Sequence, residues 1–177
     1  MKRILAIDLR STRIGFAVLE LPLRLVEWGK RAITAESCSP LVVSLIRRYG
    51  ISVIVIRRVK AGSRRDTPRV REGTRIVRRV ARAYGLQLVV LSERHLKNAL
   101  SRDHRRTKFQ IAHSMTTLFP ELARYLPQPR RFYDPENRRM SAFDAVALAV
   151  TFIANQPNHK SIQQLLAAAG VLSPAPR

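Results

Sequence analysis

Two aspartates occupy positions where a carboxylate is otherwise costly. Asp8 ends the apolar run at residues 4–7, and Asp144 interrupts the apolar stretch at residues 140–153. An unpaired carboxylate in such surroundings costs several kcal/mol, so each requires a positive partner. One interpretation pairs each aspartate with an arginine of this basic chain. The other brings both carboxylates to one divalent cation, because Mg²⁺ prefers oxygen ligands and keeps open positions for substrate phosphate.

Other metal chemistry has little support in the sequence. The four histidines lack the spacing of a zinc site, and Cys38 is the one cysteine of the chain. A single cysteine also excludes a disulfide framework within the chain. We interpret the histidines as surface residues or residues near nucleic acid: His95, His104, His113 and His159.

The positive charge is concentrated in one part of the chain. Lys and Arg number 33 against 12 Asp and Glu, a formal charge of +21. Between Arg57 and Arg82, 11 basic residues stand against two acids, Asp66 and Glu72. Such a stripe is typical of nucleic-acid binding, although an arginine-rich solvated surface is the alternative. The candidate phosphate-binding residues in this stretch are Arg64, Arg65, Arg75, Arg78 and Arg79.

The elements that must position these residues follow an α/β order. Runs of apolar and β-branched residues predict strands at 3–8, 14–19, 24–28, 51–56 and 86–91. Short connections favour antiparallel pairing of the first three strands, and the helix between the last two favours parallel pairing. Helices are predicted from Ser39-Pro40 to Gly50, from Thr67-Pro68 to Gly85, from Thr107 to Leu118 and at 140–153.

The chain is predicted to form one main domain at residues 1–156. Residues 157–177 are expected to add a short helix and a loose tail. No apolar run approaches the ~20 residues of a membrane span, and no secretion signal is recognised at the start. We therefore expect a cytoplasmic protein that does not enter membranes.

Several segments together resemble the RuvC-type Holliday-junction resolvases. The first strand and hairpin are Ile-Leu-Ala-Ile-Asp at 4–8, Ser11, and Ile-Gly-Phe-Ala-Val at 14–18. The last helix, Phe-Asp-Ala-Val-Ala-Leu-Ala-Val at 143–150, resembles that family's Asp-Ala-x-Ala-Leu-Ala helix. Between them, Leu-Lys-Asn-Ala-Leu at 96–100 and Thr-Lys-Phe-Gln at 107–110 resemble its basic region. The order and spacing agree over most of residues 3–153.

This resemblance implies a ribonuclease H-like fold and a dimeric nuclease for branched DNA that depends on Mg²⁺ or Mn²⁺. Asp8 and Asp144 match two of the family's metal ligands, and Lys97 and Lys108 match basic residues near the scissile strand. Two metal ions held by such carboxylates activate the attacking water and stabilise the leaving oxygen.

The chain departs from the family pattern at other positions. Arg57 stands where the family has a glutamate, and Ser141 where it has an aspartate. Lys60 replaces an aromatic residue that stacks on opened bases, and Leu9-Arg10 replaces Pro-Gly. Arg57 has two interpretations: it locks the site through an arginine–carboxylate pair, or it points away to a DNA phosphate. Because side chains alternate along a strand, a shift of this strand by one residue would turn Arg57 from the first of these orientations to the second.

Glu93 provides a third candidate ligand. Leu91-Ser92-Glu93-Arg94 resembles the Asp-Glu-Arg segment of the YqgF-type branch of this fold, which implies a metal site of Asp8, Glu93 and Asp144. The alternative is that Glu93 is a first-turn helix residue, capped by Ser92 and favoured by the helix dipole. Phe132 and Tyr133 are interpreted as loop aromatics, packed on the core or stacked on bases.

The sequence thus predicts a protein that binds branched DNA on a degenerate resolvase site, and leaves Mg²⁺-dependent cleavage open. A non-catalytic nucleic-acid-binding protein and a YqgF-like RNA nuclease or ribosome-associated factor are the alternatives. The predicted nucleic-acid contacts comprise the five arginines given above together with Arg57, Lys60, Lys97 and Lys108.

Overall fold

A computed structural model describes residues 2–100, 107–129 and 137–156, together with positions 164 and 167. Five strands and five α-helices follow one another along these residues. The strands are β1 (Arg3–Leu9), β2 (Arg13–Glu20), β3 (Arg24–Ala32), β4 (Val53–Arg57) and β5 (Gln87–Leu91). The helices are α1 (Ala35–Tyr49), α2 (Pro68–Ala83), α3 (Glu93–Leu100), α4 (Lys108–Leu118) and α5 (Met140–Ala154), with a 3₁₀ turn at Pro120–Tyr125.

The five strands form one mixed sheet in the order β3-β2-β1-β4-β5. β1 pairs antiparallel with β2, and β2 with β3. β4 pairs parallel with both β1 and β5. The mixed sheet expected from the sequence, antiparallel at its start and parallel at its end, is confirmed. β1 and β4 are central strands and are buried along nearly their whole length, as their continuous apolar sequence requires.

Each face of the sheet has its own hydrophobic core. Side chains alternate along a strand, so β1 sends Ile4 and Ala6 to one face and Leu5 and Ile7 to the other. The first core is closed by α3, α4 and α5. The second core is closed by α1 and α2. Every residue of α5 is buried, which explains why its sequence is apolar on all sides.

The helix starts were predicted correctly for α2 and α4 and wrongly for α1. Thr67 caps α2 and Thr107 caps α4, in the second case through a capping box with Gln110. The predicted start of α1 at Ser39-Pro40 is wrong. Thr34 caps this helix, because its hydroxyl accepts from the Ser37 backbone N–H, and Pro40 lies inside the helix. Gly50 ends α1 with φ 59°, a left-handed conformation that favours glycine.

Among the described residues, no helix is both long and apolar enough to span a membrane. The predicted division into residues 1–156 and 157–177 remains a prediction, since the second part lies outside the described residues apart from 164 and 167.

Candidate functional site: an arginine-clamped pair of aspartates

The two aspartates singled out from the sequence lie together. Asp8 is on the face of β1 that α5 covers, and its side chain is completely buried. Asp144 lies in the second turn of α5 and is 7% exposed. A close approach of α5 to the sheet brings them together. A Cβ atom on Gly15, which pairs with Asp8 across β1 and β2, would lie 1.9 Å from the backbone oxygen of Ser141. Only glycine therefore permits this packing.

Arg10 joins the two carboxylates directly. Its Nε donates to Asp8 Oδ2 at 2.6 Å, and its Nη2 donates to Asp144 Oδ2 at 2.5 Å. Arg65, from the segment between β4 and α2, also reaches both. Its Nη1 donates to Asp8 Oδ1 at 2.8 Å, and its Nη2 donates to Asp144 Oδ2 at 3.4 Å. Charge-assisted hydrogen bonds of this length are among the strong ones in proteins.

Arg57 is the third guanidinium of the cluster. Its Nε lies 3.6 Å from Asp8 Oδ1, and its Nη2 lies 3.6 Å from Asp144 Oδ1. Val53 and Val55 belong to the core on the α5 side, so alternation places Arg57 on the same side as Asp8. The geometry therefore agrees with the interpretation in which Arg57 closes on the carboxylates, and not with the one in which it points away to DNA.

The charges of this cluster do not fit a divalent cation. Three guanidinium groups surround two carboxylates, which leaves one excess positive charge at the place where a metal would need negative charge. Burial raises the pKa of Asp8. The charges of Arg57, Arg65 and Arg10 and the hydrogen bond from Arg10 lower it, and together they outweigh the effect of burial, so the pKa lies below its ordinary value. The carboxylates are thus neutralised by arginine, and a metal would have to displace these hydrogen bonds.

Glu93 does not join the two aspartates. It is the first residue of α3, its side chain is 70% exposed, and it pairs with Lys97 at 3.2 Å one turn later. The Lys97 hydrogen bond is the main cause that lowers the pKa of Glu93, with a smaller contribution from the charge of Arg57. Within the described ranges, no three acidic, histidine or cysteine side chains are grouped so that they could hold a metal ion.

The predicted phosphate-binding residues separate into two groups. Arg57 and Arg65 turn inward to the aspartates and are mostly buried. The others are exposed, on the loop after β4, along α2, in α3 and at the start of α4: Lys60, Arg64, Arg75, Arg78, Arg79, Lys97 and Lys108. Phe132, Tyr133, His104 and His159 lie outside the described residues.

The principal residue that sequence reasoning missed is Arg10. The sequence showed only that Leu9-Arg10 stands in place of the expected Pro-Gly. Its position two residues after a strand-end aspartate was the available signal, since the turn after β1 can fold a long side chain back over Asp8.

This sheet order, with helices on both faces, is that of the ribonuclease H-like fold. No protein-family model matches the chain, and no curated protein matches it by sequence. The likeness is one of structure.

Three solved structures of Holliday-junction resolvases are similar to this chain in fold, each at low sequence identity. The structure of Thermus thermophilus RuvC matches with a TM-score of 0.65 and 16% identity, over 97% of this chain and 98% of that one. The same protein in complex with a Holliday-junction substrate matches with a TM-score of 0.61, also at 16% identity, over 87% and 94% of the two chains. The fowlpox virus resolvase with its substrate Holliday-junction DNA matches at 0.56 and 10% identity, over 86% and 99%.

Proposed function

We propose that this protein binds branched DNA without cleaving it at the Asp8–Asp144 centre. The proposal rests chiefly on the hydrogen bonds of Arg10, which donates from Nε to Asp8 Oδ2 at 2.6 Å and from Nη2 to Asp144 Oδ2 at 2.5 Å. Metal-dependent phosphodiester hydrolysis requires those oxygens as cation ligands. Here the guanidinium groups of Arg10 and Arg65 occupy them, and Arg57 adds further positive charge.

The arginine clamp, formed by Arg10, Arg57 and Arg65 around Asp8 and Asp144, also gives the two aspartates a structural role. A buried guanidinium needs a carboxylate as much as a buried carboxylate needs a cation, and breaking such a pair costs about 3–5 kcal/mol. In this proposal Asp8 and Asp144 stabilise the junction of β1 and α5. Their function is structural, and the DNA contacts come from exposed cations elsewhere.

The exposed arginines of α2 supply the principal DNA surface. Arg75, Arg78 and Arg79 are all exposed on this helix, and its buried side packs on the sheet. Lys and Arg that neutralise phosphates release counterions from DNA, which drives binding without base contacts. Branched DNA is proposed as the partner because the solved complexes with this fold hold Holliday junctions. Two copies of the chain are expected on one junction, which light scattering on the complex can measure.

The test compares a labelled four-way junction with a linear duplex of equal length. In EDTA we expect the junction to bind at least about tenfold more tightly, a difference of about 1.4 kcal/mol. In a second assay with Mg²⁺ or Mn²⁺, we expect no cleavage products. Cleavage that Asp8→Asn or Asp144→Asn abolishes would contradict the non-catalytic part of the proposal. Equal affinity for junction and duplex would contradict the choice of partner, as would tighter binding of a structured RNA of equal charge.

A further inference from the structure

A small cavity beside the arginine clamp is lined by arginines and hydroxyl groups. It has a volume of about 180 Å³ and lies where the turn between β1 and β2 meets the segment before α2. Its polar lining consists of Arg10, Arg13, Arg64, Arg65, Ser11 and Thr12. No acidic side chain is among its lining residues. In a folded protein, a cavity lined in this way has a strong positive potential.

Two of the four arginines have no acidic partner within the described part of the chain. Arg10 and Arg65 already bind Asp8 and Asp144. Arg13 Nε, however, is buried and has no hydrogen-bond partner among the described residues. Arg64 is exposed, and it forms no ion pair with any acid that the structure describes. An oxyanion in the cavity would offer acceptors to the guanidinium groups of Arg13 and Arg64, neither of which has an acidic partner among the described residues.

The volume of the cavity limits the size of the anion that it can bind. Sites for larger organic ligands usually enclose about 300–1,000 Å³, well above this volume. A single tetrahedral oxyanion needs less space and offers oxygens in several directions. Arginine guanidinium groups and the hydroxyl groups of serine and threonine are typical donors to phosphate oxygens. The geometry thus favours one phosphate group over a whole nucleotide or a carboxylate-bearing metabolite.

We propose that this cavity binds one phosphate group, held chiefly by Arg13 and Arg64. Two sources share this chemistry: a backbone phosphate of bound DNA and free inorganic phosphate. The DNA source rests on the proposed function, whereas the phosphate site itself does not. The site lies next to the carboxylates that a metal-dependent relative would use, so this chain offers arginines to a phosphate there in place of metal ions.

The first experiment measures inorganic phosphate binding by thermal unfolding and titration calorimetry. Chloride at the same ionic strength is the reference. We expect phosphate to raise the melting temperature of the wild type above the chloride value, because a ligand of the folded state stabilises it. The double variant Arg13→Gln/Arg64→Ala should bind phosphate at least about tenfold more weakly, since each arginine contributes charge-assisted hydrogen bonds.

A matched control removes the same charge elsewhere. Arg48→Ala/Arg82→Ala deletes two exposed arginines from α1 and α2, and neither lines the cavity. This variant should keep wild-type phosphate affinity. If it loses affinity as much as the cavity variant does, the effect is one of net charge and the proposal is wrong. If Arg13→Gln impairs folding, the single variant Arg64→Ala, at an exposed position, replaces the double variant in the test. Phosphate affinity equal to that of the wild type in the folded cavity variant would overturn the proposal.

The second experiment separates the two phosphate sources. Junction affinity is measured with and without inorganic phosphate at constant ionic strength. If inorganic phosphate weakens junction binding by the wild type but not by Arg13→Gln/Arg64→Ala, the site holds a DNA phosphate. If phosphate binds without weakening junction binding, the site holds the free anion. Equal phosphate and chloride responses in the wild type would overturn the site altogether. A failure to prefer junction over duplex would count against the proposed function alone.

Discussion

Arg10 and Asp144 are 134 residues apart in the chain, yet the Nη2 of Arg10 donates to the Oδ2 of Asp144 at 2.5 Å. The same guanidinium donates through Nε to Asp8, so one side chain holds the end of β1 to the first turns of α5. Arg57 has the same two partners at 3.6 Å, beyond hydrogen-bonding distance. The three arginines of the cluster are therefore not equivalent in what they contribute.

The stability of the fold should depend on Arg10 far more than on Arg57. Arg10→Leu removes two short hydrogen bonds to buried carboxylates, and we expect a loss of about 3 kcal/mol in the free energy of unfolding. Arg57→Leu removes the excess positive charge and a donor that has no hydrogen-bond partner among the described residues, so we expect a change below about 1 kcal/mol. Urea denaturation of both variants checks this difference.

The exposed variant Arg82→Leu is the control for replacing an arginine on the surface, and its expected effect is within about 0.5 kcal/mol. Equal losses in Arg10→Leu and Arg57→Leu would contradict the assignment of Arg10 as the residue that holds the clamp together.

The strands were predictable because their sequence signals are local. The runs around residues 4–7 and 53–56 are apolar and β-branched, and both form central strands. The start of α1 was predicted wrongly, because the proline signal was read as marking the first turn of the helix. Ser39-Pro40 matches the preference for a serine before a first-turn proline, but the observed cap, Thr34, lies five residues before Ser39 and forms a reciprocal capping box with Ser37. The earlier cap prevailed, and the helix accommodates Pro40.

The meeting of Asp8 and Asp144 was one of two interpretations of their burial, and the resemblance to the resolvases favoured it. A carboxylate inside an apolar strand and another inside an apolar helix each require a positive partner, and one arginine can serve both when the two carboxylates lie close together. The identity of that partner was only partly predictable, because pairing with Arg57 was one of two interpretations and Arg10 was missed. It depends on which face of β4 presents Arg57 and on how the turn after β1 folds Arg10 back, and both are decided by tertiary packing.

Acid should weaken the fold through Asp8. Its pKa in the folded state lies below the ordinary 3.8, so the unfolded chain takes up a proton first as the pH falls. The stabilising contribution is then complete above that ordinary pKa and is lost as the pH falls through the lower, folded-state value. In urea titrations across this acidic range, we expect Asp8→Asn to show a shallower pH dependence than the wild type.

Arg10→Leu is the informative comparison for this pH series. It keeps the Asp8 carboxyl but removes one of the cations that lower its pKa, so its slope should fall between those of the wild type and Asp8→Asn. A wild-type slope in Asp8→Asn would refute the coupling of Asp8 to its arginines.

The salt dependence of DNA binding should report the α2 surface. The logarithm of the binding constant falls linearly with the logarithm of the salt concentration, by about 0.9 for each duplex phosphate that is neutralised. The triple variant Arg75→Ala/Arg78→Ala/Arg79→Ala should therefore reduce this slope by up to about 2.7. Fluorescence anisotropy over a potassium chloride series measures it.

A second triple variant distinguishes local contacts from net charge. Lys30→Ala/Arg48→Ala/Arg124→Ala also removes three exposed positive charges, from β3, α1 and the 3₁₀ turn. We expect its slope to change by less than about 0.9, the value of one contact. Equal reductions in the two variants would show that binding is diffuse and that the exposed arginines at 75, 78 and 79 are not its centre.

Reversing the charge of Arg57 should convert the clamp towards a metal site. The cluster of three arginines and two aspartates has a net charge of +1, whereas Arg57→Glu leaves two arginines and three carboxylates, a net charge of −1. Because β4 presents this position to the face that holds Asp8, the new carboxylate would lie beside the other two, and oxygen-rich sites of this kind bind Mn²⁺. We expect Mn²⁺ to raise the melting temperature of Arg57→Glu but not that of the wild type or of Arg57→Gln, which removes the positive charge without adding a ligand. If Mn²⁺ stabilised the wild type as much as Arg57→Glu, the arginines would not be what keeps a cation from these aspartates.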